Sequence, residues 1–428
     1  MSGLHLFAKL GGGTNEEVHN PSKHLKRKSH LYYVEDKAKF VTVTNSGGST
    51  HKIFYEIHGN GPKAVVLVMG LAANHTQFEP QYYEFGKRLG AEYSVLIMDN
   101  RGVGFSDTPF HRWRTTDFAS DIVQLLTQIE KSNDPQEGKK WHQNVNLVGF
   151  SMGGMIALET LLMDPGRFST LTLISTHAGG IRGTLPPVYG FKPFLATFGA
   201  LGGVSALCAG INLLYPSHIL DQELSDADYK RYYGESEPEY KIRTYREHYG
   251  TAMIKRARKY VESHNFPEIR LSGVLLQVGA VISHYISWSR LRSIKNWNIP
   301  VLVINGAYDN LVDPVNSRMM AKATNAEHLY FKEAGHGVNE QYEHECNNAL
   351  QTHFNKSVTM QSTRTLNRKP HAPEMLHPWK LIGGYVIIAT VMHRLRMLKR
   401  LNSKIVTGLH TLFLGFILRK IYGRFTGL

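Results

Sequence analysis

The sequence predicts an α/β fold: a mostly parallel central sheet with helices on both of its faces. Three observations carry this. Short apolar runs recur along the chain, apolar at consecutive positions as strands buried on both faces are. Stretches of helical spacing separate them. The rhythm stops near residue 177 and resumes near residue 301, after a long segment of different character.

Lys39–Thr44 and His51–His58 are strand-like, and Asn45-Ser46-Gly47-Gly48 between them reads as the loop of a β-hairpin. Ala64–Met69 is the first buried run, followed by a helix-like stretch to Leu89. Ser94–Met98 is the second. After it, Phe118, Ile122, Leu125, Leu126 and Ile129 fall at helical spacing within Thr116–Glu130. Val145–Phe150 precedes a helix at Met155–Met163, and Leu171–Ile174 closes this series. Beyond His177 the chain is rich in Gly and Pro, then polar, with helical stretches at Asp221–Tyr233 and Ile242–Ser263, and reads as an inserted, mainly helical cap. Strands return at Val301–Ile304 and His328–Phe331, and a helix to about Phe354 ends the domain. The expected organisation is a flexible N-terminal arm (1–35), a first core segment (36–176), the cap (177–298), a second core segment (299–355), a linker (356–380) marked by Pro370, Pro373 and Pro378, and a basic hydrophobic tail (381–428).

The net charge of +14 is concentrated at one end: residues 361–428 hold twelve Lys or Arg and a single acid, Glu374. A uniformly basic chain would point to nucleic acid. Basic residues interleaved with apolar runs point instead to anionic lipid, so no nucleic-acid partner is expected. As helices, Leu381–Met392 and Ile405–Leu418 would be roughly 18 and 21 Å long, against about 30 Å of bilayer core. Arg394, Arg396, Lys399, Arg400 and Lys404 lie between them. The tail is therefore expected to bind a membrane surface as a re-entrant hairpin or two interfacial helices. The N-terminus lacks the unbroken apolar stretch of a signal peptide. Two cysteines, Cys208 and Cys346, with no CxxC, exclude a disulfide framework or a zinc site and suit a reducing compartment. An intracellular, membrane-associated protein is expected; its oligomeric state is not written in the sequence.

A serine hydroxyl is a weak nucleophile. It needs a base to take its proton, a group to orient that base, and donors for the oxyanion. Ser151 lies between the Val145–Phe150 strand and the next helix, in Gly149-Phe150-Ser151-Met152-Gly153 with Gly154 following. This is G-x-S-x-G in the strand–turn–helix setting of a nucleophile elbow. Asp309 follows the Val301–Ile304 strand, within Gly306–Pro314. His336 follows the last strand, in Ala334-Gly335-His336-Gly337.

On these motifs the chain from about Phe40 to Phe354 resembles the α/β-hydrolase superfamily, of the serine esterase and lipase kind, in which nucleophile, acid and histidine come in this order. The resemblance implies that Asp309 orients His336 and that His336 is the general base for Ser151. Asp313 is the alternative acid in the same loop, and His177 is another histidine placed after a strand. By family position the oxyanion donors are the backbone N–H groups of Leu71 and Met152. Met69-Gly70-Leu71 stands where family members usually carry His-Gly, as in methylesterase-like branches. His58-Gly59 precedes the strand and is not that motif. Asp99–Ser106 matches the family's D-x-R-G-x-G-x-S turn, which implies a structural role. Serine at 151 excludes relatives with an aspartate nucleophile, the dehalogenases and epoxide hydrolases. Gln341, the fifth residue after His336, departs from the H-x-x-x-x-D of acyltransferase-like relatives. The expected activity is hydrolysis of a carboxylic ester through an acyl-enzyme on Ser151, with no cofactor and no metal. The partners expected are a lipid or small-molecule ester and a membrane surface. Acyl transfer on the same triad and a non-catalytic lipid-binding scaffold are the alternatives.

Overall fold

Eight strands form a single sheet in the computed structural model: β1 (Lys39–Thr44), β2 (Thr50–His58), β3 (Lys63–Val68), β4 (Tyr93–Met98), β5 (Val145–Phe150), β6 (Phe168–Ile174), β7 (Val301–Gly306) and β8 (Glu327–Phe331). Their spatial order is β1-β2-β4-β3-β5-β6-β7-β8. The hairpin partners β1 and β2 are antiparallel, β2 is antiparallel to β4, and every pair from β4 to β8 is parallel. The structure describes residues 38–131, 135–180, 186–190, 203–233, 242–264, 270–359 and 368–372, with a few isolated positions between 181 and 200. The expected N-terminal arm and the tail at 381–428 lie outside the described residues.

The period-2 alternation of strands sorts the apolar runs into two layers. Val66, Val68, Leu96, Met98, Leu147, Leu171, Leu173 and Val303 pack on one face with the helices Thr115–Glu130 and Met152–Met163. Val65, Leu67, Val95, Ile97, Val148, Ile174, Leu302 and Ile304 pack on the other with Phe78, Phe85 and Phe354. Each such side chain contributes about 1.5–3 kcal/mol when fully buried, which is why the central strands are mainly apolar on both faces. The edge strand β1 alternates between buried and exposed positions instead.

Between β6 and β7 the described chain is helical: Gly203–Leu214, Ser217–Leu220, Asp226–Tyr233, Tyr245–His264, Leu271–Ser283 and Trp288–Asn296. Ile211, Tyr215, Leu220 and Tyr249 form a small core there, with Tyr215 and Tyr249 stacked at 4.0 Å. The last of these helices sits on the sheet, since Leu291 and Ile294 join the layer beside Met152–Met163. Its Arg290 pairs with Glu159 of that helix at 3.1 and 2.8 Å, both side chains 3% exposed.

Several helices differ from the periodicity reading. Met152–Met163 begins three residues earlier than expected, at the residue after Ser151, and is buried all round. Gly203–Leu214 and Leu271–Ser283 are apolar on most sides and give no amphipathic signal. Pro314–Thr324 is set by its start: Asp313 accepts from the Val315 N–H at 2.9 Å, and Pro occupies the first turn. Part of the segment expected as a linker is docked. Arg368 donates to the carbonyls of Pro165, Phe168 and Trp297 at 3.2, 3.3 and 2.9 Å, and the His371 N–H donates to Leu162 O at 2.9 Å. Among the described residues no helix is long and apolar enough to cross a membrane.

Candidate active site

Parallel strands deliver their C-terminal loops to one edge of the sheet. The order reverses at β3, whose sequence neighbour β4 lies on one side and β5 on the other. Ligands of open α/β sheets bind outside the strand ends at such a switch point. The loops after β3, β4, β5, β6, β7 and β8 carry Met69–Ala73, Asp99–Ser106, Ser151, Ser175–His177, Asp309 and His336 respectively.

Ser151 has φ 54° and ψ −122°, a conformation that L residues rarely adopt. It is held from both sides. Its N–H donates to Ile174 O at 2.8 Å, and its carbonyl accepts from Thr176 Oγ1 at 2.7 Å. Close approach explains the glycines around it. A Cβ on Gly153 would lie 1.9 Å from Val68 O, and one on Gly70 would lie 3.0 Å from Ser151 Cβ. The loop after β3 therefore passes directly against the serine side chain. The helix Met152–Met163 starts at the next residue, and the N–H groups of a first turn have no intrahelical acceptor.

His336 and Asp309 meet in the interior, each 1% exposed. His336 Nδ1 lies 2.9 Å from Asp309 Oδ1 and 2.8 Å from Oδ2. Asp309 Oδ1 also accepts from the N–H groups of Leu311 and Val312, both at 2.8 Å. With Nδ1 engaged, Nε2 is the histidine nitrogen left for other work. The His336 ring lies 5.1 Å from the ring of Phe150, the residue before Ser151, and its carbonyl accepts from Ser175 Oγ at 2.8 Å. Asp313 is spent as the cap of Pro314–Thr324. Gln341 braces the histidine loop: its side chain accepts from the Gly335 N–H and donates to Glu333 O, both at 3.0 Å.

His177 is 2% exposed and its Nδ1 accepts from the Gly179 N–H at 2.9 Å. Burial, with the charge of nearby His336, pulls its pKa down to about 3, so it stays neutral. His58 is remote from this chemistry; it pairs with Glu56 at 2.6 Å inside the sheet.

Leu71 lies in the β3 loop, next to the Gly70 that approaches the Ser151 side chain, and Met152 is the residue after Ser151, at the helix start. Met69-Gly70-Leu71 itself contains no histidine. Asn100 Nδ2 donates to Met69 O at 2.8 Å, and the Ala72 N–H donates to Gln277 Oε1 at 2.8 Å. Ala72 has φ 58°. The sequence reading missed both polar residues. Their signals were present: Asn100 fills the variable position of the D-x-R turn, and Gln277 is a polar residue in the middle of an apolar helix. The turn itself is built as a structural element. Asp99 accepts from the His75 and Phe105 N–H groups at 2.8 and 2.9 Å, and Arg101 forms a buried two-point pair with Asp121 at 2.7 and 2.6 Å. Among the described residues no cluster of His, Cys, Asp and Glu is arranged to hold a metal ion.

A family model described as alpha/beta hydrolase fold matches residues 63–341. A protein of Variovorax paradoxus named as a carbamate hydrolase is 31% identical over 125 residues, which are 29% of this chain and 42% of that protein. One of Synechocystis named as a non-heme chloroperoxidase is 34% identical over 114 residues, 27% of this chain and 36% of its own length. The chain thus spans less than half the length of these relatives. A meta-cleavage product hydrolase of Pseudomonas fluorescens shares the fold, with a TM-score of 0.53 at 16% identity over 76% of this chain and 100% of that one. With its strand order, its strained serine turn and a family match from the third strand to the loop of His336, this chain belongs to the alpha/beta hydrolase fold family.

Proposed function

We propose that this protein is a serine hydrolase of carboxylic esters. The observation that carries the reading is the buried pair of His336 Nδ1 and the Asp309 carboxylate, at 2.8 and 2.9 Å, beside the strained turn of Ser151. Asp309 holds the tautomer that leaves the Nε2 lone pair free. His336 Nε2 takes the Ser151 proton as Oγ attacks the ester carbonyl. The tetrahedral oxyanion accepts from the Leu71 and Met152 N–H groups, and the helix start at Met152 adds its partial positive charge. His336 then protonates the leaving alcohol, leaving the acyl group on Ser151. Water, deprotonated by the same histidine, attacks the acyl-enzyme and releases the acid.

The basic, apolar tail and the large insertion between β6 and β7 support a lipid ester as substrate, worked on at an anionic membrane surface. Gln341 at the fifth position after His336, where acyltransferase-like relatives carry Asp, supports water as the acyl acceptor.

Labelling with a fluorophosphonate tests the nucleophile. The full chain should be labelled, and Ser151→Ala should not; equal labelling of the two would reject Ser151. A panel of esters of rising acyl length, with and without anionic vesicles, tests the substrate. Hydrolysis should favour long chains and rise with vesicles. A preference for short, soluble esters, indifferent to vesicles, would remove the lipid assignment and keep the esterase.

A further inference from the structure

The loop that carries Leu71 has Met69 where the family resemblance implies a histidine, and two side-chain amides bond to it. Asn100 grips it from the sheet side through Met69 O. Gln277 grips it three residues further on, through the Ala72 N–H. The Leu71 N–H lies between the two grips. Gln277 belongs to the inserted segment, at the middle of Leu271–Ser283, and is fully buried. Its other end is also fixed, since Nε2 donates to Arg101 O at 2.9 Å. One amide thus joins the loops after β3 and β4 to a helix more than 170 residues further along the chain.

The helix is able to come this close because of Gly273, one turn earlier on the same face. A Cβ there would lie 2.0 Å from Gly102 O. Backbone meets backbone at that point, and the amide side chain reaches over the turn. Burial of an amide away from water is costly unless both ends are paired, and here both are. Gln277 therefore has a strong preference for this one geometry. Ala72 sits at φ 58°, a conformation an alanine does not hold by itself. Without an acceptor for its N–H, the loop has a reason to relax.

We infer that Gln277 is a positioning residue for the oxyanion hole: by fixing Ala72 and Arg101 it sets the direction of the Leu71 N–H, so that seating of the inserted helices completes the site. The inference rests on the reading of Leu71 as an oxyanion donor. A donor is useful only within a few tenths of an ångström of where the charge develops, so its displacement acts on the transition state more than on the bound ester.

The test uses the full chain with Gln277→Met, which keeps length and removes both hydrogen bonds, and Gln277→Glu, which keeps the acceptor for Ala72. Gly273→Ala, which pushes the helix away without touching either amide, is the third variant. Activity is followed on a p-nitrophenyl ester, and amide hydrogen exchange on the peptide containing Ala72. Gln277→Met should lower kcat by about 10- to 100-fold with KM little changed. It should weaken a trifluoromethyl ketone inhibitor, which forms an oxyanion, by a similar factor, and leave the affinity for the product acid unaltered. Exchange at Ala72 should quicken by about tenfold. Gly273→Ala should reproduce these effects, and Gln277→Glu should fall between Gln277→Met and wild type. Wild-type kcat or wild-type exchange in Gln277→Met would overturn the inference, as would a rise in KM that accounts for the whole loss. A wild type that neither takes the fluorophosphonate nor cleaves any ester would overturn the hydrolase reading and the catalytic half of this one. In that case the exchange experiment still decides whether Gln277 holds the loop.

Discussion

Replacing Asp309 by asparagine is the sharpest test of the site, because the structure decides which way the new amide must face. Asp309 Oδ1 accepts from two backbone N–H groups, those of Leu311 and Val312, at 2.8 Å each. An asparagine keeps both bonds only by placing its carbonyl oxygen there. Its NH2 group then occupies the place of Oδ2, 2.8 Å from His336 Nδ1. An NH2 group cannot accept a hydrogen bond, so Nδ1–H loses its nearer acceptor and keeps only the oxygen at 2.9 Å, which two backbone N–H groups already share, while the tautomer with its hydrogen on Nε2 gains the amide N–H as a donor to Nδ1 and is favoured. A histidine in that tautomer cannot take the proton of Ser151. In the serine-protease template, the same kind of change lowers kcat by about 10⁴, which is about 5.4 kcal/mol of barrier at 1.36 kcal/mol per tenfold. Folding should suffer far less, by about 1.5–3 kcal/mol for one charge-assisted bond. Asp313→Ala is the control. It removes the cap of Pro314–Thr324, costs about 1 kcal/mol of stability and leaves kcat near wild type. The assay is ester hydrolysis under saturating substrate, with thermal unfolding of each variant alongside. Asp309→Asn keeping more than about a tenth of wild-type kcat, or Asp313→Ala losing as much as Asp309→Asn, would refute the tautomer argument.

Three further outcomes follow from the same geometry. Gly153→Ala should be both unstable and inactive, because its Cβ would meet Val68 O at 1.9 Å and force the serine turn off the sheet; an overpacking cost of about 1–3 kcal/mol in urea unfolding checks the first half and fluorophosphonate labelling the second. Glu159→Ala should cost about 3–5 kcal/mol in the same unfolding assay, because it removes both acceptors and the charge opposite the buried Arg290, whereas exchanging both residues for apolar ones should cost much less. Acid should loosen the fold through His353, 1% exposed, whose pKa burial and the charge of Lys356 pull down to about 4. The unfolded chain binds a proton below about pH 6.5 that the folded chain refuses, so this stability is whole above about 6.5 and lost as pH falls toward about 4. Between about pH 7 and pH 5 the loss is on the order of 2 kcal/mol, and His353→Gln should shrink the corresponding drop in urea midpoint; an unchanged drop would dismiss this histidine as its source.

The parts of the fold that announce themselves in the sequence are those whose pattern is local. β3 to β7 read as strands because almost every position in them is buried, so each is a mainly apolar run without a solvent-facing side, and the polar residues within them, such as Asn146 and Thr170, are buried too. The Ser151 turn is local too: its glycines are needed within three residues of it. Asp309 and His336 are separated by 27 positions, but each follows its own strand in a recognisable loop. The inserted segment was harder. Leu271–Ser283 buries one flank against the loops of the core and carries apolar residues on the others, so its period is blurred. The roles of Asn100 and Gln277 depend on partners 31 and more than 170 residues away, which no local pattern encodes. Their residue type still carried a message. A glutamine amid Leu275, Leu276 and Val278 must be paired if buried, and so must Glu159 within Met152–Met163. Sequence can say that such a residue has a partner without saying which.

The polar ties between the inserted helices and the catalytic loops bear on how the site works. Three of the loops proposed to carry chemistry, those after β3, β7 and β8, have one. Gln277 holds the Ala72 N–H, Asn310 Nδ2 donates to Asn212 O at 3.0 Å beside Asp309, and the Gly337 N–H donates to Leu214 O at 3.0 Å beside His336. A fourth tie is ionic. Arg256, from Tyr245–His264, reaches Glu79 at 2.8 Å and Glu340 at 3.1 and 2.5 Å, and Tyr215 donates to Glu340 at 2.9 Å. The two carboxylates hold the Arg256 charge firmly in place against its burial, and Arg256 in turn keeps the Glu340 carboxyl below the usual range. Ion pairs with little access to water add little net stability, since desolvation offsets most of the attraction. Separating them is another matter, because each charge is then left without its partner. The network consequently penalises displacement of Tyr245–His264 from this seat. A lid that swings freely needs a surface it can leave at small cost, and this surface is the opposite. The inserted helices are better understood as a wall of the active site whose seating sets the loops after β3, β7 and β8 together, so that substitutions there should change turnover even where no side chain meets the ester.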